Sequence, residues 1–306
     1  MQTILGVGGV IGNGLVTVLQ TYTDKIRIVS RTPLPVTGKE EIVQADLTDR
    51  QQTLDAIKGS DVVYLTAGLL YNSSVWQKQW PEIMANVIDG CKAHGVKLVF
   101  FDNVYAYGKV SGWMTEETPY NPCSKKGEVR AQIAGTLQDE IKQGNIDAMI
   151  VRAADFYGPG AANTFVHPMI FEKLIAGKKA SWLGRDDVPH SFTYTPDAVK
   201  AAGLLGNTPD AYNQVWHVPT DRNVPTGKQF ITMVANACNV QPNYTVLKKW
   251  MVRMAGLFNP AARESVEMMY QQEFEYLFDS SKFEKQFFSP SSYEDGITKT
   301  VESIRT

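Results

Sequence analysis

The sequence is short of cysteine. Its three, Cys91, Cys123 and Cys238, are odd in number, far apart and never in a CxxC spacing. That excludes a disulfide scaffold and a zinc ribbon and fits a reducing compartment. Long apolar runs are missing too, and none approaches the roughly 18 residues that a membrane span requires. Net charge is nearly absent: 30 Lys and Arg against 32 Asp and Glu leave −2. So even a balance argues against nucleic acid or an anionic membrane as the main partner. The chain opens on an apolar stretch with neither a basic leader nor a cleavage site, so a cytoplasmic protein is expected. Repeats and low-complexity tracts are also lacking. What remains is ordinary: 306 residues, 43% hydrophobic and 20% charged. This length suits one large domain with a smaller appendage, burying roughly 75% of the unfolded surface.

The first half alternates short β-branched runs with longer amphipathic ones. Strands are expected at Gln2–Leu5, Lys25–Val29, Glu41–Gln44, Asp61–Leu65, Lys97–Phe101 and Ala148–Val151. Helices are expected at Gly12–Gln20, Gln51–Ile57, Trp80–His94 and Lys125–Lys142. Strands alternating with helices of this length imply βαβ units and a doubly wound parallel sheet. Past Tyr157 the rhythm breaks. A loop-rich stretch gives way to helices near Met169–Ala176, Thr226–Cys238, Leu247–Leu257 and Ala261–Met269, reading as a smaller cap at the carboxyl edge of the sheet.

The sharpest local signal is ILGVGGVIGNGL, with Gly6, Gly9 and Gly12 three apart between a strand and a helix. Such glycines allow a tight turn, close approach of backbone to a pyrophosphate and close helix–strand packing. Val10 and Ile11 lie in the same turn, whose N–H groups would face the anion. At the end of the second strand stand Ser30 and Arg31, where an acid would grip the ribose hydroxyls of NAD. Arg31 can instead pair with a 2′-phosphate, which favours NADP with NAD as the alternative. A solvated surface arginine is the plainer reading of Arg31.

These features and their order resemble the extended short-chain dehydrogenase/reductase family, the NAD-dependent epimerase/dehydratase group, over almost the whole chain. QADLTD is similar to the acidic corner after strand three, which implies Asp46 and Leu47 at the adenine. GSDVVYLTAG resembles the strand-four motif, implying Leu65, Thr66, Ala67 and Gly68 along the cofactor. Asn86 falls where the family fixes the strands around the site. VRAADFYGPG is similar to the family's Arg-x-x-Asn-x-Tyr-Gly-Pro segment, with Asp155 in place of Asn. HSFTYTPDAVKA resembles its Arg-Asp-Phe-x-x-Val-x-Asp signature, with His190 in place of Arg and Asp197 kept. The resemblance implies an α/β protein. A Rossmann-type doubly wound sheet would fill residues 1–157. Residues 158–306 would mainly form a smaller α/β substrate-binding cap, some segments returning to the sheet.

The departures carry as much information. The family's Ser or Thr after strand five and its Tyr-x-x-x-Lys pair are replaced by Asn103, Lys126 and Arg130. Residues 126 and 130 still share one helix face. Arg130 could hold the nicotinamide ribose as the family's lysine does. A lysine close to a second cation gives up its proton more readily, so Lys126 could serve as general acid or form a Schiff base; holding the cofactor, or a phosphate or carboxylate of the ligand, is the alternative. Asn103 could donate to a developing oxyanion, oriented by Asp102. Tyr105, Tyr107 and Tyr157 are further candidate proton donors or substrate contacts, and packing against the sheet is the alternative for each. His167 and His190 fall in segments that build the substrate pocket. His94 suits a helix C-terminus and His217 a strand. No metal-ligand spacing is present.

Two functions follow. One is an NAD(P)-dependent oxidoreductase or epimerase acting on a hydroxyl or carbonyl carbon of a small polar, sugar-like molecule. The other is a catalytically inactive NADP-binding sensor or regulator. The family resemblance also implies a homodimer.

Overall fold

A computed structural model describes residues 1–305. Seven strands form one wholly parallel sheet: β1 Gln2–Leu5, β2 Ile26–Ser30, β3 Glu41–Gln44, β4 Val62–Leu65, β5 Lys97–Asp102, β6 Ala148–Arg152 and β7 Val215–His217. Their order is β7-β6-β5-β4-β1-β2-β3. Ile4 on β1 sits opposite Ile28 of β2 on one side and Tyr64 of β4 on the other. The chain therefore reverses direction of travel across the sheet between β1 and β4. Such a switch point leaves a crevice at the carboxyl ends of the strands. Every residue of β1, β4 and β6 is buried, because helices cover both faces. Edge strand β3 is largely exposed. This is the Rossmann-type doubly wound fold expected from the alternation.

The helices flanking this sheet are α1 Val10–Leu19, α2 Arg50–Ile57, α3 Ser73–His94, α4 Lys125–Lys142 and α5 Thr195–Gly206. Helices α1 and α5 approach closely through small residues. A Cβ on Gly14 would lie 2.7 Å from Val199, and one on Gly203 would lie 2.6 Å from Val18. Helix α3 starts at Ser73, well before the expected Trp80. Asn72 caps it by accepting a hydrogen bond from the Val75 N–H, and Trp76 and Trp80 are both buried. Pro81 then lies inside the helix, where it withholds a donor only from the exposed Gln77. Burial of two tryptophans outweighs that loss.

The chain forms two compact, interleaved units. The first comprises residues 1–106, 125–152 and 198–218; the second comprises 107–124, 153–197 and the chain from 219 onward. Strand β7 and most of α5 thus belong with the sheet although they come late in the sequence. The second unit has its own core of Tyr157, Phe171, Trp182, Phe192, Phe230 and Tyr293, each almost fully enclosed. Around it lie α6 Gly227–Cys238, α7 Lys249–Ala255, α8 Pro260–Ser265 and α9 Tyr293–Arg305. A full capping box, Thr226 with Gln229, begins α6. Asp155–Tyr157 pairs in parallel with Phe192–Tyr194, aligning Asp155 with Phe192. Among the described residues no helix is long and apolar enough to cross a membrane, and no cluster of ligating side chains could hold a metal ion.

Candidate functional site

The first unit carries a glycine cradle at the start of α1. Gly6 has φ +99°, and a Cβ there would lie 2.2 Å from the Ala67 Cα. The ends of β1 and β4 can therefore meet only through glycine. A Cβ on Gly12 would come within 3.0 Å of the Gly6 carbonyl and the Thr66 hydroxyl, so the helix lies directly on the strands. Gly8 and Gly9, by contrast, face open space. Gly8 has φ +121° and was not among the three glycines singled out by spacing. The signal for it was simply a fourth glycine in the turn. Gly9 is the N-cap of α1 and makes no side-chain cap, and the first turn carries no acid. First-turn N–H groups without a side-chain cap, beside open space and with no acid in the turn, fit a pyrophosphate, although the Gly8 N–H itself donates to Asn13 at 2.9 Å. Ile11 is buried under the cradle and Val10 half-buried beside it.

Farther along the same edge, Ser30 is half-buried and Arg31 exposed. Asp46 accepts hydrogen bonds from the Thr48 N–H (3.0 Å) and hydroxyl (2.8 Å). The backbone bond from Thr48, its hydroxyl and the charge of Arg31 hold this carboxyl below its ordinary range. Leu47 is buried, and its carbonyl accepts from the Asn86 amide at 3.0 Å. Asn86 also reaches the Thr48 carbonyl at 3.0 Å, so α3 fastens the loop after β3. Leu65 is buried, the Thr66 hydroxyl donates to the Leu5 carbonyl at 3.3 Å, Ala67 backs Gly6, and Gly68 is exposed.

The four residues expected to carry the chemistry gather into one cluster in this unit. Lys126 is completely buried; its Nζ lies 3.1 Å from the Ser73 hydroxyl and 4.4 Å from the centre of the Tyr71 ring. Arg130 is buried one turn on. Its Nε and Nη2 reach Asp102 Oδ1 at 2.7 and 2.5 Å, while Arg152 Nε reaches Oδ2 at 3.2 Å. The Arg130 guanidinium lies over Trp80 (4.3 Å) and Phe100 (5.1 Å). Tyr105 stacks on Trp76, which meets Tyr71 edge-on. Asn103 donates its N–H to Asp102, and its side-chain carbonyl accepts from the Tyr105 N–H. What its side chain can offer a ligand is therefore its amide N–H. Arg130 stands differently from the expectation of a ribose clamp, because its fork is already committed to a carboxylate. Residue spacing gave no sign of Ser73, Tyr71 or the two tryptophans as members, and Arg152 was visible only as the first residue of the Arg-x-x-Asn segment.

In the second unit the two departures from the expected motifs touch each other. His190 is fully buried, and its Nε2 lies 2.9 Å from Asp155 Oδ2. Its Nδ1 lies 3.1 Å from the Gln271 carbonyl, which can only accept, so Nδ1 carries hydrogen. The ring stacks on Tyr276 at 4.4 Å and packs against Phe192 at 4.6 Å. His167 lies 3.4 Å from Glu172. Tyr107 is enclosed against Tyr120. Tyr157 is enclosed among Tyr194, Phe230 and Tyr293, and burial pushes its hydroxyl well above the ordinary tyrosine range. Both tyrosines are buried core residues. Burial likewise pushes the Cys91 thiol up to about 12.

The model of the NAD dependent epimerase/dehydratase family matches residues 3–218. The chain belongs to that family. It is 21% identical over 284 residues to a dTDP-glucose 4,6-dehydratase of Mycolicibacterium smegmatis, covering 89% of this chain and 80% of that protein. It is also 23% identical over 224 residues to a 3beta-hydroxysteroid-dehydrogenase/decarboxylase of Arabidopsis thaliana, covering 70% of this chain but 36% of that one. Among solved structures, a dTDP-glucose 4,6-dehydratase double mutant from Streptomyces venezuelae with NAD bound matches with a TM-score of 0.82 at 16% identity. That match covers 100% and 97% of the two chains. A UDP-glucuronic acid 4-epimerase from Bacillus cereus in complex with NAD matches with 0.80 at 17% identity, covering 100% and 99%. At such identities these two establish the fold alone.

Proposed function

We propose that this family member is a nicotinamide-dinucleotide-dependent oxidoreductase or epimerase acting on a hydroxyl-bearing or carbonyl carbon of a small, sugar-like molecule. The observation that carries it is Lys126: a fully buried amine, hydrogen-bonded to Ser73, in the same unit as the open glycine cradle. The dinucleotide would lie with its pyrophosphate on the Gly8–Gly9 surface, and Arg31 would take a 2′-phosphate, favouring NADP over NAD. When bound it supplies hydride transfer. Lys126 handles the proton at the substrate oxygen, with the Ser73 hydroxyl as its hydrogen-bonded partner. The Asn103 amide N–H steadies negative charge on that oxygen, and Arg130 is a positioning residue that holds Asp102 and, through it, Asn103. Relatives named for dTDP-glucose and UDP-sugars support a sugar-like substrate. The Asp155–His190 pair, standing where the motif has Asn and Arg, argues against a demand for the nucleotide diphosphate.

Calorimetric titration with NADP and NAD, then turnover on sugar and sugar-nucleotide panels, tests this reading. Lys126→Met is expected to lower kcat by about 100-fold or more while dinucleotide affinity stays within a few-fold. Unchanged turnover in that variant refutes the role. Arg31→Ala is expected to abolish the preference for NADP. A second reading, a dinucleotide-responsive regulator, draws on the replacement of the Tyr-x-x-x-Lys pair by Lys126 and Arg130. Dinucleotide binding without turnover on any panel member, together with a co-purifying partner, would favour it.

A further inference from the structure

The second unit displays an apolar stripe that its fold does not use. Trp250, Met254, Leu257 and Phe258 are 65%, 57%, 68% and 90% exposed. Their spacing of four, three and one places them within about 100° of one helical face. They span α7 and the turn after it, where the Leu257 and Phe258 N–H groups continue the winding onto Met254 and Ala255. Val252 anchors the opposite side of α7 in the unit. The turn packs closely on α8. A Cβ on Gly256 would lie 3.0 Å from the Arg263 Cα, and Asn259 caps α8 through the Ala261 and Ala262 N–H groups. Phe258 stands at the tip of this helical hairpin.

Charge along the stripe is mainly of one sign, the one acid of the hairpin being Glu264 near the end of α8, half-buried. From Lys248 to Arg263 the chain carries four cations, Lys248, Lys249, Arg253 and Arg263, and no acid. Lys249 is paired with Glu273 at 3.1 Å, whereas Lys248, Arg253 and Arg263 are exposed. An apolar face bearing Trp, Leu and Phe, rimmed by cations, has the chemistry of an interfacial membrane element.

We propose that the α7–α8 hairpin docks this protein peripherally on a bilayer containing anionic lipid. The stripe enters the boundary between headgroups and acyl chains, and the three exposed cations meet lipid phosphates. A second copy of the chain is the poorer occupant. Pairing across a two-fold axis would bring one cationic rim against its equivalent. The overall charge of −2 pointed away from an anionic membrane only because it averages this rim with acids elsewhere.

The test is co-sedimentation of the full chain with vesicles of phosphatidylcholine, alone or mixed with phosphatidylglycerol. Binding is expected to the mixed vesicles, weakening as salt is raised. Phe258→Asp should lower the partition coefficient about tenfold or more, since it removes the most exposed apolar side chain of the stripe. Lys248→Glu with Arg253→Glu should abolish the preference for anionic vesicles and leave the melting temperature essentially unchanged. Absence of binding, or equal binding to both vesicle types, overturns the proposal. So does a lipid-independent dimer that Phe258→Asp disperses, which would assign the stripe to a second copy.

Discussion

Replacing Asp102 by Asn should cost far more stability than replacing Arg130, although the two side chains share the same hydrogen bonds. Asp102 divides its oxygens between two buried arginines, Oδ1 to Arg130 and Oδ2 to Arg152. Arg130→Met removes two charge-assisted hydrogen bonds and the contact with Trp80, yet Arg152 still balances the carboxylate. An unbranched thioether can lie along Trp80 and Phe100 where the guanidinium lay. Loss of the bonds is largely offset by no longer burying a cation, so the net cost is about 1–2 kcal/mol. Asp102→Asn instead leaves two buried guanidinium groups without their shared counter-charge, a change expected to cost about 3–5 kcal/mol. Urea unfolding followed by tryptophan fluorescence measures both, and equal m-values confirm that the midpoints are comparable. Dinucleotide titration of Arg130→Met should show an affinity within about threefold of the parent, well under the tenfold that 1.4 kcal/mol represents. The reverse order of stabilities refutes the reasoning. A stable Arg130→Met protein that no longer binds dinucleotide refutes it differently, because Arg130 would then be a ligand contact and not a holder of Asp102.

Gly8→Ala should introduce about 1–3 kcal/mol of backbone strain at φ +121° without a packing clash, weakening dinucleotide affinity at least as much as stability. Gly6→Ala should instead prevent folding of the sheet edge, since its Cβ would overlap Ala67; soluble expression and circular dichroism separate the two outcomes. Asp155→Ala should cost about 1–3 kcal/mol in chemical denaturation by leaving His190 Nε2 buried without its hydrogen-bond partner. Asp155→Asn, which still reaches Nε2, should cost less. Tyr157→Phe should leave kcat and its pH profile unchanged; a large fall in kcat would show that this enclosed tyrosine reaches the reacting atoms after all.

What could be read from the sequence was periodic or local. Strand–helix alternation pointed to the doubly wound sheet because its central strands are buried on both faces and most crossovers carry a helix. The glycine turn was visible because its mechanical demands fall within a few neighbouring residues. Helix α3 begins seven residues before the expected Trp80–His94 because Asn72 caps it and Trp76 and Trp80 are buried, and that burial is a tertiary fact. The same limit applied to Arg130: spacing placed it on one face with Lys126, but nothing local shows that Asp102, twenty-eight residues earlier, would occupy its fork.

Asp155 and His190 show what such a limit conceals. Taken one at a time, each reads as the loss of a motif residue. Their contact depends on the parallel register that sets Asp155 opposite Phe192, two residues beyond His190. Once paired, each change accounts for the other, since a buried histidine whose Nδ1 is committed to the Gln271 carbonyl leaves Nε2 needing a partner, and Asp155 provides it. Restoring arginine at 190 alone would force a longer side chain into a fully enclosed space between Phe192 and Tyr276, with no room for the extra atoms. Restoring asparagine at 155 alone would keep a hydrogen bond but lose the charge. The two positions therefore function as one unit of structure. Any change of substrate they bring about follows from the pair, and a double-mutant cycle should return a coupling energy of about 0.5–3 kcal/mol.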